Sequence, residues 1–468
     1  MTAMSETKKA ALSGKYVAYS EYKDSGVEWL GEIPSHWKVK KIKHFGRVLG
    51  GFAFKSGDFI KQGYPVIKIT NVSHLVMSFN EQAYLPEKFA HENAEYIAQP
   101  NSLIFAMTRP IIAGGIKVAK MPKLEKMPLI NQRVGFLKIE DENITDYILF
   151  SSLSNSFIAQ FENNMTITNQ PNISSEGIES VSLPFPPKNE LEKIVTFLDH
   201  ETAKIDTLIE KQQQLIELLK EKRQAVVSHA VTKGLNPDAP MKDSGVEWLG
   251  EVPEHWDVVK CAYLGQLFGS ETIKEDLIQA EGDIPFIKVS SLSLDSFDLD
   301  EKNHFVSSSK VSINKCNSNY VVFPKRGAAI FTNKVNIVRE KSFIDPNLMG
   351  WKLNNNIKAE YVAYLLKLRG LGDIADVSTV PQINNKHIEP MKFPLPPLGE
   401  QEDILNSLLK KNEQFNQLIK ESYSATNLLK ERRTALISAA VTGKIDVRNW
   451  VAPTTSSDTN EAVQKVTA

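Results

Sequence analysis

The sequence predicts an α+β protein in which two mixed α/β domains are joined by a long antiparallel two-helix coiled coil, the whole forming a pseudo-two-fold internal repeat. Three observations carry that prediction. A fifteen-residue passage occurs twice, as KDSGVEWLGEIPSHW at 23–37 and KDSGVEWLGEVPEHW at 242–256, 219 positions apart. Two Pro-rich stops, LPFPP and FPLPP, each precede a long amphipathic run. Between passage and stop, each half carries an insert of short β-rich runs punctuated by Gly, Asn and Pro.

Length and composition bound the possibilities. At 468 residues the chain exceeds one ordinary hydrophobic core, and a hydrophobic fraction of 42% is that of a globular protein. No apolar run approaches the roughly 20 residues of a membrane-spanning helix. The opening MTAMSETKKAALSGKY lacks the apolar core of a signal peptide, so a cytoplasmic protein without a membrane partner is expected. Cys261 and Cys316 form no CxxC pair and read as ordinary free thiols. With 55 basic and 56 acidic residues, bulk positive charge is excluded as a way of holding nucleic acid. Local patches must do it instead: residues 37–59 hold six Lys or Arg against one acid, 106–126 five against one, and 324–341 five against one.

The repeat extends well beyond the opening passage. GYPVIKITNVS (63–73) matches DIPFIKVSSLS (283–293), and LIFAMTRPIIAGGIKVAK (103–120) weakly matches VVFPKRGAAIFTNKVNIV (321–338). QPNISSEGIESVSLPFPPKNELEKIVTFL (170–198) matches VPQINNKHIEPMKFPLPPLGEQEDILNSL (380–408) at an offset of 210, as do LLKEKRQAVVSHAVTKG (218–234) and LLKERRTALISAAVTGK (428–444). Each half is a fixed frame around a variable insert. The expected segments are a first passage ending at 37, a first insert over 38–180, a first scaffold helix within 181–234, and a linker with the second passage over 235–256. A second insert over 257–390, a second scaffold helix within 391–448 and a disordered tail over 449–468 complete the chain.

Proline cannot lie inside a helix, so both long helices start after their stops. Counted in heptads from Ile194, the first places Ile194, Leu208 and Leu215 at a, with Leu198, Ile205, Leu219 and Val226 at d. The second places Ile404, Leu418 and Ala425 at a, with Leu408, Phe415, Leu429 and Leu436 at d. A helix of roughly 60 Å with one apolar seam needs a partner, and its own repeat is the nearest one. In the passage, Trp29, Leu30, Ile33 and Trp37 match Trp248, Leu249, Val252 and Trp256, which reads as a clip anchoring each insert to the frame. His36 and His255 read as hydrogen-bonded packing residues.

Catalytic motifs are missing from the sequence. There is no GxxxxGK[ST] phosphate loop, no HExxH and no GxSxG. The GLGDIA stretch beginning at Gly370 follows a helical run, whereas a dinucleotide fold needs a strand before it. The segments before PP lack the acidic or amide residue of amino-methyltransferases. Recognition without catalysis is the reading.

With the repeated W-L-G-E-[IV]-P-x-H-W, the P-x-PP-x-x-E-x-[EQ] helix starts and the LLKE[KR]R ends in view, the chain closely resembles the specificity (S) subunit of type I restriction-modification enzymes, over nearly all of 23–447. The resemblance implies that the inserts are target recognition domains on a bipartite, asymmetric double-stranded DNA site with an unread spacer. It implies two copies of an adenine-N6 methyltransferase subunit as partners, with translocase-nuclease subunits added for restriction. No cofactor is expected in this chain; S-adenosylmethionine, ATP and Mg belong to the partner subunits. Two departures stand out: the second insert opens on DVVKCAYLGQLFGSETIKEDL where the first has a dense basic run, and Leu191 stands where the second helix has Gln401.

Arg, Lys, Asn and Gln are the side chains that reach groove edges and phosphates. The DNA-contact candidates are Lys38, Lys40, Lys41, Lys43, Arg47, Lys55, Lys68, Arg109 and Lys117 in the first insert, and Lys288, Lys325, Arg326, Asn333 and Lys334 in the second. Arg109 and Arg326, each in or beside a Gly-containing loop after a β-like run, lead the set. Partner docking is assigned to exposed positions of the helices over 188–228 and 398–438 and to the segments around Trp37 and Trp256, with Glu190, Glu400 and Gln401. The other reading left open is a non-catalytic coiled-coil adaptor, or a silent specificity gene that reads no DNA.

Overall fold

The computed structural model describes residues 16–452, apart from 113–114, 167–168, 272, 313–314 and 377–378. The expected tail lies outside the described residues from 453 onward. The chain divides into two compact units, one of residues 1–213 and 424–468, the other of 214–423.

In the first unit the insert folds around a four-stranded antiparallel sheet in the order Val118–Lys120, Leu103–Ala106, Val134–Leu137, Val48–Gly50. Side chains alternate across a strand, and both faces here are covered. Leu103 and Phe105 pack with Ile148, Phe157 and Phe161 of the helices Glu142–Ser151 and Asn155–Asn163. Ile104 and Phe136 pack on the other side with Ile67, Met121 and Ile130. A second sheet runs Leu129–Ile130, Tyr64–Ile67, Ala83–Leu85. The ladder of Lys38–Lys41 with Ser182–Phe185 closes the insert.

The second unit repeats the two main sheets and the closing ladder. Its four-stranded sheet runs Asn336–Val338, Tyr320–Pro324, Leu348–Leu353, Gly265–Phe268, and its smaller one Phe343–Ile344, Ile284–Ile287, Phe305–Val306. Val321, Phe323 and Trp351 pack with Tyr361 and Leu365 of the helix Ala359–Arg369, while Tyr320 and Val322 face the opposite way. Asp257–Lys260 pairs with Lys392–Leu395. Gly370 follows the helix Ala359–Arg369 at φ +66°, as a helix terminator.

Two long helices, Lys188–Lys233 and Leu398–Val441, start directly after the paired prolines. Within the first unit, Ile194, Leu198 and Ile205 pack with Leu436, Ile437 and Ala440, and Arg433 Nε lies 2.9 Å from Asp206 Oδ1. Within the second, Val227, Ala230 and Val231 pack with Ile404 and Leu408, and Arg223 Nη1 donates to Asn416 Oδ1 at 2.9 Å. In each unit the early part of one helix therefore meets the late part of the other, the antiparallel sense.

The heptad assignment is corrected in its middle. Leu208, Leu215 and Leu418 are exposed at 47%, 41% and 47%, whereas Ile216 and Val227 are buried. Burial recurs at eleven-residue steps through Ile194, Ile205, Ile216 and Val227 in one helix, and in the other Thr426 and Ile437 are eleven apart, with Ile404 twenty-two before Thr426 and Phe415 between them only half-buried. Eleven residues fill three turns at about 3.67 per turn, close to the undistorted helix, so a strict seven-residue count drifts off the buried face.

Candidate nucleic-acid interface

The repeated passage folds as a short hairpin, Tyr22–Asp24 with Glu32–Pro34 and Met241–Asp243 with Glu251–Pro253, that delivers a tryptophan to the start of the following helix. Trp37 is fully buried, and its Nε1 donates to Glu190 Oε1 at 2.9 Å. Tyr19 Oη donates to the same oxygen, and His36 Nε2 lies 2.9 Å from Oε2. In the second unit Trp256 Nε1 donates to Glu400 Oε2 at 2.9 Å, with His255 Nε2 at 2.8 Å. Each domain also meets the end of a long helix: Tyr361 Oη donates to Val231 O at 2.8 Å, and Tyr147 Oη, 2.6 Å from Pro184 O, lies 3.0 Å from Val441 O. The Tyr361 bond satisfies a carbonyl that a helix end leaves without a partner.

This corrects the docking assignment for single residues. Trp37, Trp256 and Gln401 are fully buried and Glu190 is 6% exposed, so their polar groups are committed inside the chain, and Glu400 is engaged by Trp256 and His255. Gln401 accepts from Lys358 N–H at 2.8 Å and donates to Asn356 O at 3.1 Å, pinning the loop before the helix Ala359–Arg369, and it donates to Pro396 O at 2.9 Å before its own helix. Its counterpart Leu191 makes no such bonds and instead lines a cleft of about 660 Å³ with Lys40, His44, Asp141, Phe185 and Lys188.

The basic candidates of the first unit fall into separate places. Lys38, Lys40 and Lys41 lie on the strand paired with Ser182–Phe185, and Lys40 Nζ sits 4.3 Å from the Phe185 ring. Lys43 lies in the 3-10 turn that follows. Arg47 pairs with Glu179 at 2.8 Å. Lys55 precedes the turn Ser56–Asp58, and Lys68 Nζ lies 5.3 Å over the Phe59 ring.

Arg109 and Lys117 are brought together. They line a cleft of about 230 Å³ with Ile69, Thr70, Thr108, Arg133 and Gln170. Backbone pairing builds it: Met107 N–H donates to Arg133 O at 2.9 Å and Arg109 N–H to Pro171 O at 2.7 Å. Arg109 takes φ +46°, in the left-handed region that disfavours a residue with a side chain. Sequence reasoning missed Arg133 and Gln170, which reach the cleft only through long-range pairing; the one local signal was Arg133's place just before a β-like run.

The second unit makes the same bonds with different side chains. Lys325 N–H donates to Asn347 O and Gly327 N–H to Pro381 O, both at 2.8 Å. Lys325 and Arg326 thus occupy the places of Met107 and Thr108, while Gly327, at φ +77°, and Asn347 occupy those of Arg109 and Arg133. Arg326 is exposed, and Lys288 precedes a 3-10 turn as Lys68 does. Asn333 and Lys334 are half-buried, and each makes a hydrogen bond within the unit. Asn333 Nδ2 donates to Lys367 O at 2.7 Å, near the end of the helix Ala359–Arg369, and Lys334 Nζ donates to Leu292 O at 2.6 Å. Among the described residues no cluster of three His, Cys, Asp or Glu is arranged to hold a metal ion, and no helix is long and apolar enough to cross a membrane.

The family model for the type I restriction modification DNA specificity domain matches twice, over residues 34–218 and 253–424, together well over half of the chain. The chain belongs to that family. The MjaVIII specificity subunit of Methanocaldococcus jannaschii is 28% identical over 167 residues, 36% of this chain and 39% of that protein. The EcoAI specificity subunit of Escherichia coli is 26% identical over 168 residues, 28% of its own length, so both alignments take in less than half of the relative. A putative MjaX specificity subunit of the same archaeon aligns over 90% of this chain and 96% of its own length at 23% identity. The fold is shared with a chain from work on complex assembly and conformational transition of the type I R-M system, with a TM-score of 0.63 and 16% identity over 88% of this chain and 99% of that one. It is shared too with the HsdS subunit of Thermoanaerobacter tengcongensis, with a TM-score of 0.53 and 15% identity over 88% and 98%. Both matches of the family model contain the start of a long helix as well as a recognition insert, so the family unit is insert plus scaffold.

Proposed function

We propose that this chain is the DNA-reading subunit of a type I restriction-modification complex. Its two inserts are target recognition domains, each reading one part of a bipartite, asymmetric duplex site, and the frame scaffolds two adenine-N6 methyltransferase subunits, with translocase-nuclease subunits joining for restriction. The long helices form an antiparallel coiled coil about a pseudo-two-fold axis. The chain itself carries out no bond-making step; S-adenosylmethionine, ATP and Mg act on the partner subunits.

One observation carries the reading. The backbone pairing around Arg109 recurs around Gly327, yet the side chains presented there differ at each of four equivalent places. A constant frame that presents different groups is what two readers of two different sequences require, because bases are distinguished by donors, acceptors and methyl groups at groove edges. The DNA candidates all keep exposed or half-exposed side chains: Lys38, Lys40, Lys41, Lys43, Arg47, Lys55, Lys68, Arg109 and Lys117, then Lys288, Lys325, Arg326, Asn333 and Lys334. Docking falls to outward positions of the long helices, where Leu208, Leu218, Leu418 and Leu428 are all more than 40% exposed.

A base-resolution map of N6-methyladenine in host DNA, with the gene intact and deleted, tests this directly. One gapped asymmetric motif should lose methylation on deletion, and exchanging the inserts should exchange the halves of the motif. Unchanged methylation at every motif would refute DNA reading by this chain.

A further inference from the structure

The cleft lined by Arg109, Lys117 and Arg133 has a chemistry distinct from that of a base reader. No carboxylate lines it, and among the described residues none of its three cations has an ion-pair partner. The hydroxyls of Thr70 and Thr108, which also line it, are further hydrogen-bond donors. A base edge is uncharged and offers at most two adjacent acceptors, which one arginine satisfies, whereas a phosphate is negative and can take several cations at once. Two guanidinium groups and an ammonium around a small cleft match the latter.

The backbone adds an independent observation. Arg109 holds φ +46°, and the equivalent place in the second unit is Gly327 at φ +77°. The turn demands a left-handed residue, which glycine takes without strain. The first unit puts an arginine there all the same, and an outlier of this kind points to a function served by the side chain.

We propose that Arg109, Lys117 and Arg133 together hold one backbone phosphate of the duplex on the first recognition domain, an anchor that the second domain does not repeat. The proposal rests on the DNA-reading function above. It separates positioning from sequence reading within one domain: the cleft sets where the domain sits on the strand, and base contacts come from other loops.

Arg109→Gly removes the charge and suits the turn, so folding is not at risk, and Arg133→Ala is the second variant. Each is assembled at full length with its methyltransferase partner and titrated with cognate and unrelated duplexes over a range of salt. Losing one phosphate contact should lower the slope of log affinity against log salt by about 0.9. Affinity should fall by the same factor on both duplexes, with sequence preference unchanged. A neutral methylphosphonate walked along the duplex should erase the difference between wild type and Arg109→Gly at one linkage.

An unchanged slope in both variants overturns the anchor, as does relaxed preference at a single base pair, which would make the cleft a base reader. Stabilisation of wild type but not Arg133→Ala by inorganic phosphate at constant ionic strength, with the DNA slope unmoved, would mean a free-phosphate site and overturn the duplex assignment. A wild-type complex that binds duplex without sequence preference, while the slope still falls in the variants, sinks the reading function and leaves the anchor standing. No duplex binding at all sinks both.

Discussion

The two recognition domains share strand order, ladder register and the tryptophan–glutamate clip, and they differ where side chains leave that frame. Arg109 and Arg133 in one domain stand where Gly327 and Asn347 stand in the other, and the cations of the second move one and two residues back along the strand, to Arg326 and Lys325. The difference teaches that backbone hydrogen bonds carry the fold while outward side chains change without disturbing them. Where the frame itself differs, the change is local: Gln401 pins the 354–358 loop through two hydrogen bonds, and Leu191 lines a cleft in the matching place.

The clips offer the largest test. Glu190 is 6% exposed and takes three donors, Trp37, Tyr19 and His36, whereas the Glu400 side chain is 27% exposed and takes two. Each buried donor left without an acceptor costs about 1–3 kcal/mol, so Glu190→Ala should destabilise its domain by roughly 2–5 kcal/mol and Glu400→Ala by about 1–3. Hydrogen exchange of 19–37 against 241–256 in the full chain reads the two openings separately. Equal loss of protection in both variants would mean that the clips are energetically the same despite their different burial.

A closer pair follows at the helix ends. Gly443 and Gly234 both turn with positive φ, at +70° and +78°, but a Cβ on Gly443 would lie 2.3 Å from Pro34 Cδ, while one on Gly234 would meet Trp256 and Glu400 only at 3.2 Å. Gly443→Ala combines strain with a clash against a rigid ring and should cost about 2–3 kcal/mol, and Gly234→Ala about 1. Thermal unfolding of the two variants side by side checks the order. Next in size is Gln401→Leu, which strips acceptor and donor from the 354–358 loop and should cost about 1–3 kcal/mol. Leu191→Gln, beside an open cleft where water can serve the amide, should cost less; a larger loss there than in Gln401→Leu would contradict the asymmetry.

Much of this was legible in the sequence, and the exceptions have physical causes. The repeat, the proline stops and the histidines beside each clip tryptophan could be read because they are local patterns copied twice. The helix seam was misread in its middle because Leu208, Leu215 and Leu418 are as apolar as the residues that face inward, and hydropathy alone does not choose between seven- and eleven-residue repeats. The hydrogen bonds of Asn333 and Lys334 to the carbonyls of Lys367 and Leu292 could not be read in advance, because tertiary contact sets them. Trp37, Glu190 and Gln401 were taken for a docking face since conspicuous residues in a repeat suggest partners; each is conspicuous because the fold uses it internally. Arg133 escaped notice because strand pairing across many residues brings it to Arg109.

The smallest expected effect concerns the two thiols, both in the second unit. Burial in the core against Val258 and Leu264 pushes the Cys261 thiol up to about 12, so almost none of it is thiolate at mildly alkaline pH. Cys316 is only partly buried, and although burial raises its pKa too, the nearby Lys341 works against that rise. Because the thiolate is the nucleophile, brief exposure of the native protein to iodoacetamide should give a single adduct, at Cys316, and a second only on unfolding. Peptide mapping by mass spectrometry reads the site. Early modification of Cys261 would mean that the ladder of Asp257–Lys260 with Lys392–Leu395, which leads directly into it, opens far more readily than its tight packing implies. In that case the two domains differ in the stability of the frame as well as in the side chains they present.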